Sequence, residues 1–232
     1  MRKALHVSIF ALAIGLTGQA LAAEPGWYGE LKAGPTVLEN MTSSNGGSNL
    51  ALDPKTGWAI EGGAGFRMES GLRLGLEGGY QRNRLRGSFS QTATGACGSA
   101  AVPCLTGDVR GHIAAPSLFA MAHYDVPITD RLSLGLGAGV GAQRIDLNAY
   151  TTGVSGGLGN RFTLIDAEDT VFAWRGGAEL AYNRGTRTDL TVGYKYTHSA
   201  KPTMAGRGAY TPFTFSDNMA THAFTAGVRL AF

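Results

Sequence analysis

The sequence predicts an all-β fold, an eight-stranded antiparallel transmembrane β-barrel with four long extracellular loops and short periplasmic turns. Three observations carry it. Eight stretches alternate apolar and polar residues with period two; the connections between them alternate short with long; and the polar parity of the strands is glycine plus charge, a poor surface for water but a workable packed interior.

The first strand, from about Gly26 to Val37, sets Trp27, Leu31, Ala33 and Val37 against Tyr28, Glu30, Lys32 and Thr36. Residues 38–55, centred on N-M-T-S-S-N-G-G-S-N, read as a long polar loop. The second strand, Gly57 to Met68, puts Trp58, Ile60, Ala64 and Phe66 opposite Glu61 and Arg67. Glu69-Ser70-Gly71 is a tight turn into Leu72, Leu74, Leu76 and Tyr80, which alternate with Arg73, Glu77 and Gln81, so these two strands form a hairpin. Residues 82–110 read as the longest loop, with a basic base, R-N-R-L-R.

A strand from Gly111 to Val126 has the least clean alternation, because Phe119 and Met121 share the polar side with His123 and Asp125. After the turn at Pro127 to Asp130, Leu132, Leu134, Leu136 and Val140 alternate with Gly135, Gly137, Gly139 and Gly141. Such a bare wall predicts that long side chains from the opposite wall fill the space. Residues 145–170 read as a third long loop. Phe172 to Tyr182, a turn at Asn183 to Arg187, and Asp189 to Tyr196 form the next hairpin. Residues 198–218 are the last long loop, and Thr221 to Phe232 closes the chain.

The first residues predict a secretory signal over 1–22: Arg2 and Lys3, an apolar run from Ala4 to Leu16, then Ala20-Leu21-Ala22. That run is too short to span a membrane as a helix, and the mature chain, residues 23–232, is then a single barrel domain. The net charge of +3 is spread along the chain without a basic run, which argues against a nucleic-acid partner. Thirty-five glycines suit crowded β walls better than helices. In an exported chain Cys97 and Cys104 are expected to form one disulfide pinching the second long loop, and no His beside them suggests zinc.

Orientation follows from the chemistry of the two faces. The apolar parity carries aromatics near strand ends, including Trp27, Trp58, Phe66, Tyr80, Tyr124, Trp174, Tyr182, Tyr196 and Phe232, placed as interfacial girdles are. The segments A-P-S-L-F-A-M-A-H-Y-D, L-S-L-G-L-G-A-G-V-G-A, F-A-W-R-G-G-A-E-L-A-Y, D-L-T-V-G-Y-K-Y and the terminal G-V-R-L-A-F resemble the small outer-membrane β-barrel family of Gram-negative bacteria. That family is OmpA-like and opacity-type, and its members are often labelled porin-family surface proteins. The resemblance implies residence in the outer membrane and recognition of terminal Phe232 by the barrel-assembly machinery. It brings no shared catalytic residues. Met121 departs from the pattern, standing where many members carry a polar residue.

The lumen, the rim and the loops hold the candidate functional residues. Glu30, Lys32, Glu61, Arg67, Arg73, Glu77, Asp125, Arg175, Glu179, Asp189, Lys195 and Arg229 are assigned to a lumen charge network, since buried charges persist only when paired. Two pairs are expected: Glu179 with Lys195, and Glu30 with Arg229 across the seam of the barrel. An eight-stranded interior is just wide enough for side chains, which favours a plugged lumen over a narrow channel for small solutes. A lipid A modifying enzyme is the other alternative, resting on His198 and His222 with Ser199, Ser216 or Asp217 near the outer rim, but no motif supports it. No catalytic residue, cofactor or metal is expected. The role read from the residues is structural or surface-interactive: envelope integrity, adhesion or a surface antigen. The expected partners are outer-membrane lipid, lipopolysaccharide phosphates through Arg82, Arg84 and Arg86, and an extracellular ligand of the loops.

Overall fold

A computed structural model describes residues 25–45, 48–91, 105–152, 163–185, 187–203 and 218–232. The segment 1–22, Cys97 and Cys104 lie outside the described residues. Among the described residues there are ten strands: β1 (Gly26–Leu38), β2 (Met41–Asn45), β3 (Ser48–Pro54), β4 (Gly57–Arg67), β5 (Leu72–Gln91), β6 (Leu105–Pro127), β7 (Leu132–Thr152), β8 (Thr163–Asn183), β9 (Thr188–Ser199) and β10 (Met219–Ala231). Eight of them close into an antiparallel ring, β1-β4-β5-β6-β7-β8-β9-β10, with β10 returning to β1. The chain end is zipped into the seam, where Phe232 N donates to Trp27 O at 2.9 Å.

The lipid-facing parity is outward as read: Leu136 and Val140 are half exposed, with Leu31, Leu76, Leu118 and Val192 beside them. Two aromatic belts bound this band. Trp27 and Phe66 meet edge to face at one end, their centroids 5.6 Å apart, and Trp58 and Tyr80 meet at the other, also at 5.6 Å. β4, 11 residues long, has the length a tilted strand needs to span, about 9–11 residues. The short turns gather at the first end. There Gly71 takes a φ of 83°, which side chains tolerate poorly, and Gly71 N closes the turn onto Met68 O at 3.1 Å.

The strands continue far beyond the second belt, and this corrects three of the expected loops. Residues 82–91 and 105–110 are strand, including the basic R-N-R-L-R stretch, and so are 145–152 and 163–170. The expected loop at 38–55 contains the hairpin β2–β3, which prolongs the β1–β4 hairpin and pairs with the top of β5. The physical reason is an exchange of chemistry without an exchange of parity. On β5 the inward side changes from Arg73, Glu77 and Gln81 to Leu85 and Phe89, while the outward side changes from Leu74 and Leu76 to Arg82, Arg84 and Arg86. Above the membrane the barrel therefore packs like a soluble protein, with Leu50, Leu52, Leu85, Ile113, Ile145, Leu147 and Ile165 filling its interior.

One irregularity sits at the join. Pro54 pairs with Leu85 but Trp58 with Arg82, so residues 55–57 face only Asn83 and Arg84. Asn83, fully buried, secures this bulge: its Nδ2 donates to Lys55 O at 3.1 Å and Thr36 O at 3.3 Å, and Thr36 Oγ1 donates to its Oδ1 at 3.2 Å. Gly57 is needed there, since a Cβ would stand 2.2 Å from Arg82 O.

Candidate functional site

All twelve charged residues assigned to the lumen face inward, six carboxylates against six cations. They pair in three layers. Nearest the periplasmic turns, Arg73 grips Asp125 with both Nε (2.7 Å) and Nη2 (2.9 Å), and Arg67 lies 3.5 Å from Asp125 and 3.4 Å from Asp189. In the middle, Arg229 reaches Glu30 at 3.2 Å and also Glu179, while Lys32 joins Glu30 at 2.8 Å to Glu179 at 2.5 Å. In the third layer Lys195 bridges Glu61 and Glu77, each at 2.7 Å, Arg175 lies 3.1 Å from Glu61, and His123 Nε2 is 3.0 Å from Glu77. The Arg175 guanidinium also stacks 4.2 Å above the Phe119 ring.

Glu30 and Arg229 thus meet across the seam, where they are direct cross-strand partners. The expected Glu179–Lys195 bridge does not form. The register puts Gly193 opposite Glu179 as read, but Lys195 extends across the lumen to the second and third strands of the ring, β4 and β5, and Glu179 is taken by Lys32 and Arg229. The glycine wall of β7 is also filled differently from expectation. Its space is taken from the adjacent strand: a Cβ on Gly137 would stand 2.2 Å from His123 Nδ1 and one on Gly139 2.3 Å from Met121 Sδ. Phe119 and Met121, which blurred the alternation of β6, are this filling, and the void left beside the glycines is about 10 Å³.

A polar collar caps the ionic layers, with Arg175 Nε donating to Thr197 at 3.0 Å, Gln81 to Thr221 at 3.3 Å, and Ser199 to Gln143. The apolar core of the extracellular storey sits on top. At the other end the lumen opens into a vestibule of about 250 Å³ bordered by Arg67, Asp125 and Asp189.

Among the described residues, no serine joins the rim histidines. His198 and His222 face outward beside tyrosines, Tyr194 Oη lying 2.7 Å from His222 Nδ1 and Tyr196 Oη 3.4 Å from His198 Nδ1. Ser199 is on the opposite face, buried in the collar, and residues 216 and 217 lie outside the described residues. Among the described residues no group of His, Cys, Asp and Glu has the arrangement of a metal site. What the loop reading of residues 82–110 hid is a cleft of about 820 Å³ on the outer wall, bordered by Lys55, Trp58, Arg82, Arg84, Arg86, Arg110 and His112.

A closed ring with an apolar belt outside and paired charges inside defines a small transmembrane β-barrel. The chain belongs to the outer membrane protein beta-barrel domain family, whose model matches residues 8–232, and the protein resides in the outer membrane of a Gram-negative bacterium. Among solved structures it is similar to Neisserial surface protein A, with a TM-score of 0.51 at 18% identity over 90% of this chain and 99% of that one. It is also similar to the outer membrane protease OmpT from Escherichia coli, with a TM-score of 0.52 at 9% identity over 89% of this chain and 97% of that one. At these identities the likeness is one of fold. No curated protein matches the chain.

Proposed function

We propose that the protein is a non-conducting, non-catalytic surface barrel: the membrane-spanning part is a rigid plugged anchor, and the extracellular storey with its loops is the part that interacts. The observation that supports this most is the charge-balanced lumen. An ion path needs sites that bind and release, whereas Lys32, Arg73, Arg229, Glu30 and Glu61 are each buried and held by fixed partners. Above them the apolar core adds a second closure, lined mainly by aliphatic side chains that cannot replace an ion's water. The storey it supports projects beyond the lipid, where recognition surfaces on a generic scaffold are found. A role in envelope integrity, adhesion or antigen display fits such a projecting surface.

Single-channel recording of the purified barrel in a planar bilayer tests the reading. No steady conductance is expected at physiological salt. A large, long-lived open state would replace the plug with a pore.

A further inference from the structure

The β5–β6 wall just above the outer aromatic belt carries more positive charge than the acids around it offset. Arg82, Arg84 and Arg86 project outward from β5 at successive same-face positions, about 7 Å apart. On β6, Arg110 stands directly opposite Arg86 and His112 directly opposite Arg84. Like charges placed opposite one another repel, yet none of these four arginines lies within salt-bridge distance of a carboxylate among the described residues. The nearby acids do not balance them: Asp53, the direct cross-strand partner of Arg86, holds Lys55, Asp146 holds Arg144, and Asp108, on the same face of β6 as Arg110, forms a salt bridge with none of the four. At a similar height the β7–β8 wall does the reverse, with Arg144 clasped between Asp146 and Glu168. The local field is felt by His112, whose imidazole is held below its usual range by burial and by Arg82, against the opposing pull of Asp146 and Asp166.

The position of the cleft specifies its occupant. Arg82 is the direct cross-strand partner of Trp58, and Trp58 packs on Tyr80 at the top of the lipid-facing band. A ligand in this cleft rests its lower end on an indole at the edge of the hydrocarbon and its upper end on guanidiniums, which bind phosphate with paired donors. A soluble polyanion has no use for the indole floor. We propose that the cleft of Lys55, Arg82, Arg84, Arg86, Arg110 and His112 binds the phosphate groups of the phosphorylated glycolipid that forms the outer leaflet of the membrane. The bulge at residues 55–57 shapes the cleft, because it breaks the strand beside Arg82 and Arg84 and places Lys55 at the border. The site is independent of whether the lumen conducts.

The test is native mass spectrometry of the full barrel in zwitterionic detergent, titrated with bisphosphorylated lipid A, with the same lipid dephosphorylated, and with inorganic phosphate as competitor. Wild type is expected to prefer the bisphosphorylated lipid at least tenfold. Arg84→Gln/Arg86→Gln/Arg110→Gln is expected to lose that preference, while Arg144→Gln, a charge at similar height on the neutralised wall, keeps it. Heat-modifiable gel mobility verifies that both variants are folded. Should the triple variant retain the preference, should Arg144→Gln lose it equally, or should millimolar inorganic phosphate displace the lipid from wild type, the assignment is overturned.

Discussion

Glu30 and Arg229 are direct partners across the seam that joins the first and last strands of the ring, Arg229 Nε donating to Glu30 Oε2 at 3.2 Å with both side chains almost fully enclosed. The ladder alone would close the ring, but this pair marks the register in which it closes. A slip of one residue would turn Arg229 toward lipid and Leu230 into the ionic layers. Replacing one partner leaves the other charge buried, so Arg229→Ala is expected to cost about 3–5 kcal/mol. The double change Glu30→Gln/Arg229→Gln is expected to cost less than the sum of the two single changes, because Lys32 and Glu179 remain paired with each other. Urea unfolding in detergent, followed by tryptophan fluorescence, measures both. Additive losses would show that the pair is not coupled.

The inward and outward glycines are expected to behave differently when given a methyl group. At Gly141 a Cβ would stand 2.0 Å from Leu118 O, a backbone atom that cannot move without breaking the β6–β7 ladder, whereas at Gly176 the nearest atom is Gly137 O at 3.9 Å. Gly141→Ala is expected to destabilise by about 1–3 kcal/mol, and Gly176→Ala to stay within about 0.5 kcal/mol. The same unfolding assay compares them. Equal effects would mean that the β6 backbone does not crowd the inward side of the β7 wall.

The spanning part of the barrel was legible because lipid and a packed lumen impose opposite chemistries on alternate residues. Leu132 to Gln143 could hardly be read otherwise, and the seam pair followed from counting both strands toward the chain terminus. The Glu179 and Lys195 partners were not legible. Residues that share a face are fixed by the period, but the reach of a long side chain across a closed lumen depends on which cations and acids the other strands present at that depth, and Lys195 finds Glu61 and Glu77 there. The extracellular storey was missed for a related reason. The alternation through Leu85, Phe89, Val109 and Ile113 persists, but its apolar members change sides relative to the lipid-facing band, so one strand reads as two short pieces separated by a polar loop. A search for strands that change sides once, instead of strands with one constant greasy side, would have found it.

His112 offers a local probe of the basic wall. Burial and Arg82 both disfavour its protonated form, so the ring is expected to titrate below the usual value near 6.5. Its pKa is lower in the fold than in the unfolded chain. The contribution to stability is therefore full above pH about 6.5 and is lost as the pH falls through the shifted value. Arg82→Gln removes the second of the two causes, and the His112 titration is expected to move upward without reaching that of an exposed histidine. Nitrogen-detected NMR of the imidazole in detergent reads it directly, and a downward move or no move would mean that Arg82 does not govern the field at this site.

The two storeys share strands but not a core, and so they are expected to fail separately. Ile145 and Ile113 are fully buried in the extracellular core, on the same strands whose membrane parts carry Val140 and Leu118 toward lipid. Truncating Ile145 to Ala removes packing worth about 2–5 kcal/mol, but Ile145 belongs to the apolar cluster that rests on the polar collar of Gln81, Gln143 and Ser199 and not to the ionic layers beneath it. The ionic layers below are anchored by their own partners and by lipid, where unpaired backbone groups are most costly. Local opening is therefore expected to lie above the belt. In hydrogen exchange of Ile145→Ala, amides of residues 105–113 and 145–152 should lose protection while those of 117–126 and 132–141 keep it, and the heat-modifiable folded band should persist on gels. Loss of protection along the whole length of β6 and β7 would make the barrel one cooperative unit. Unchanged exchange throughout would mean that the apolar upper core contributes little to holding the extracellular strands together.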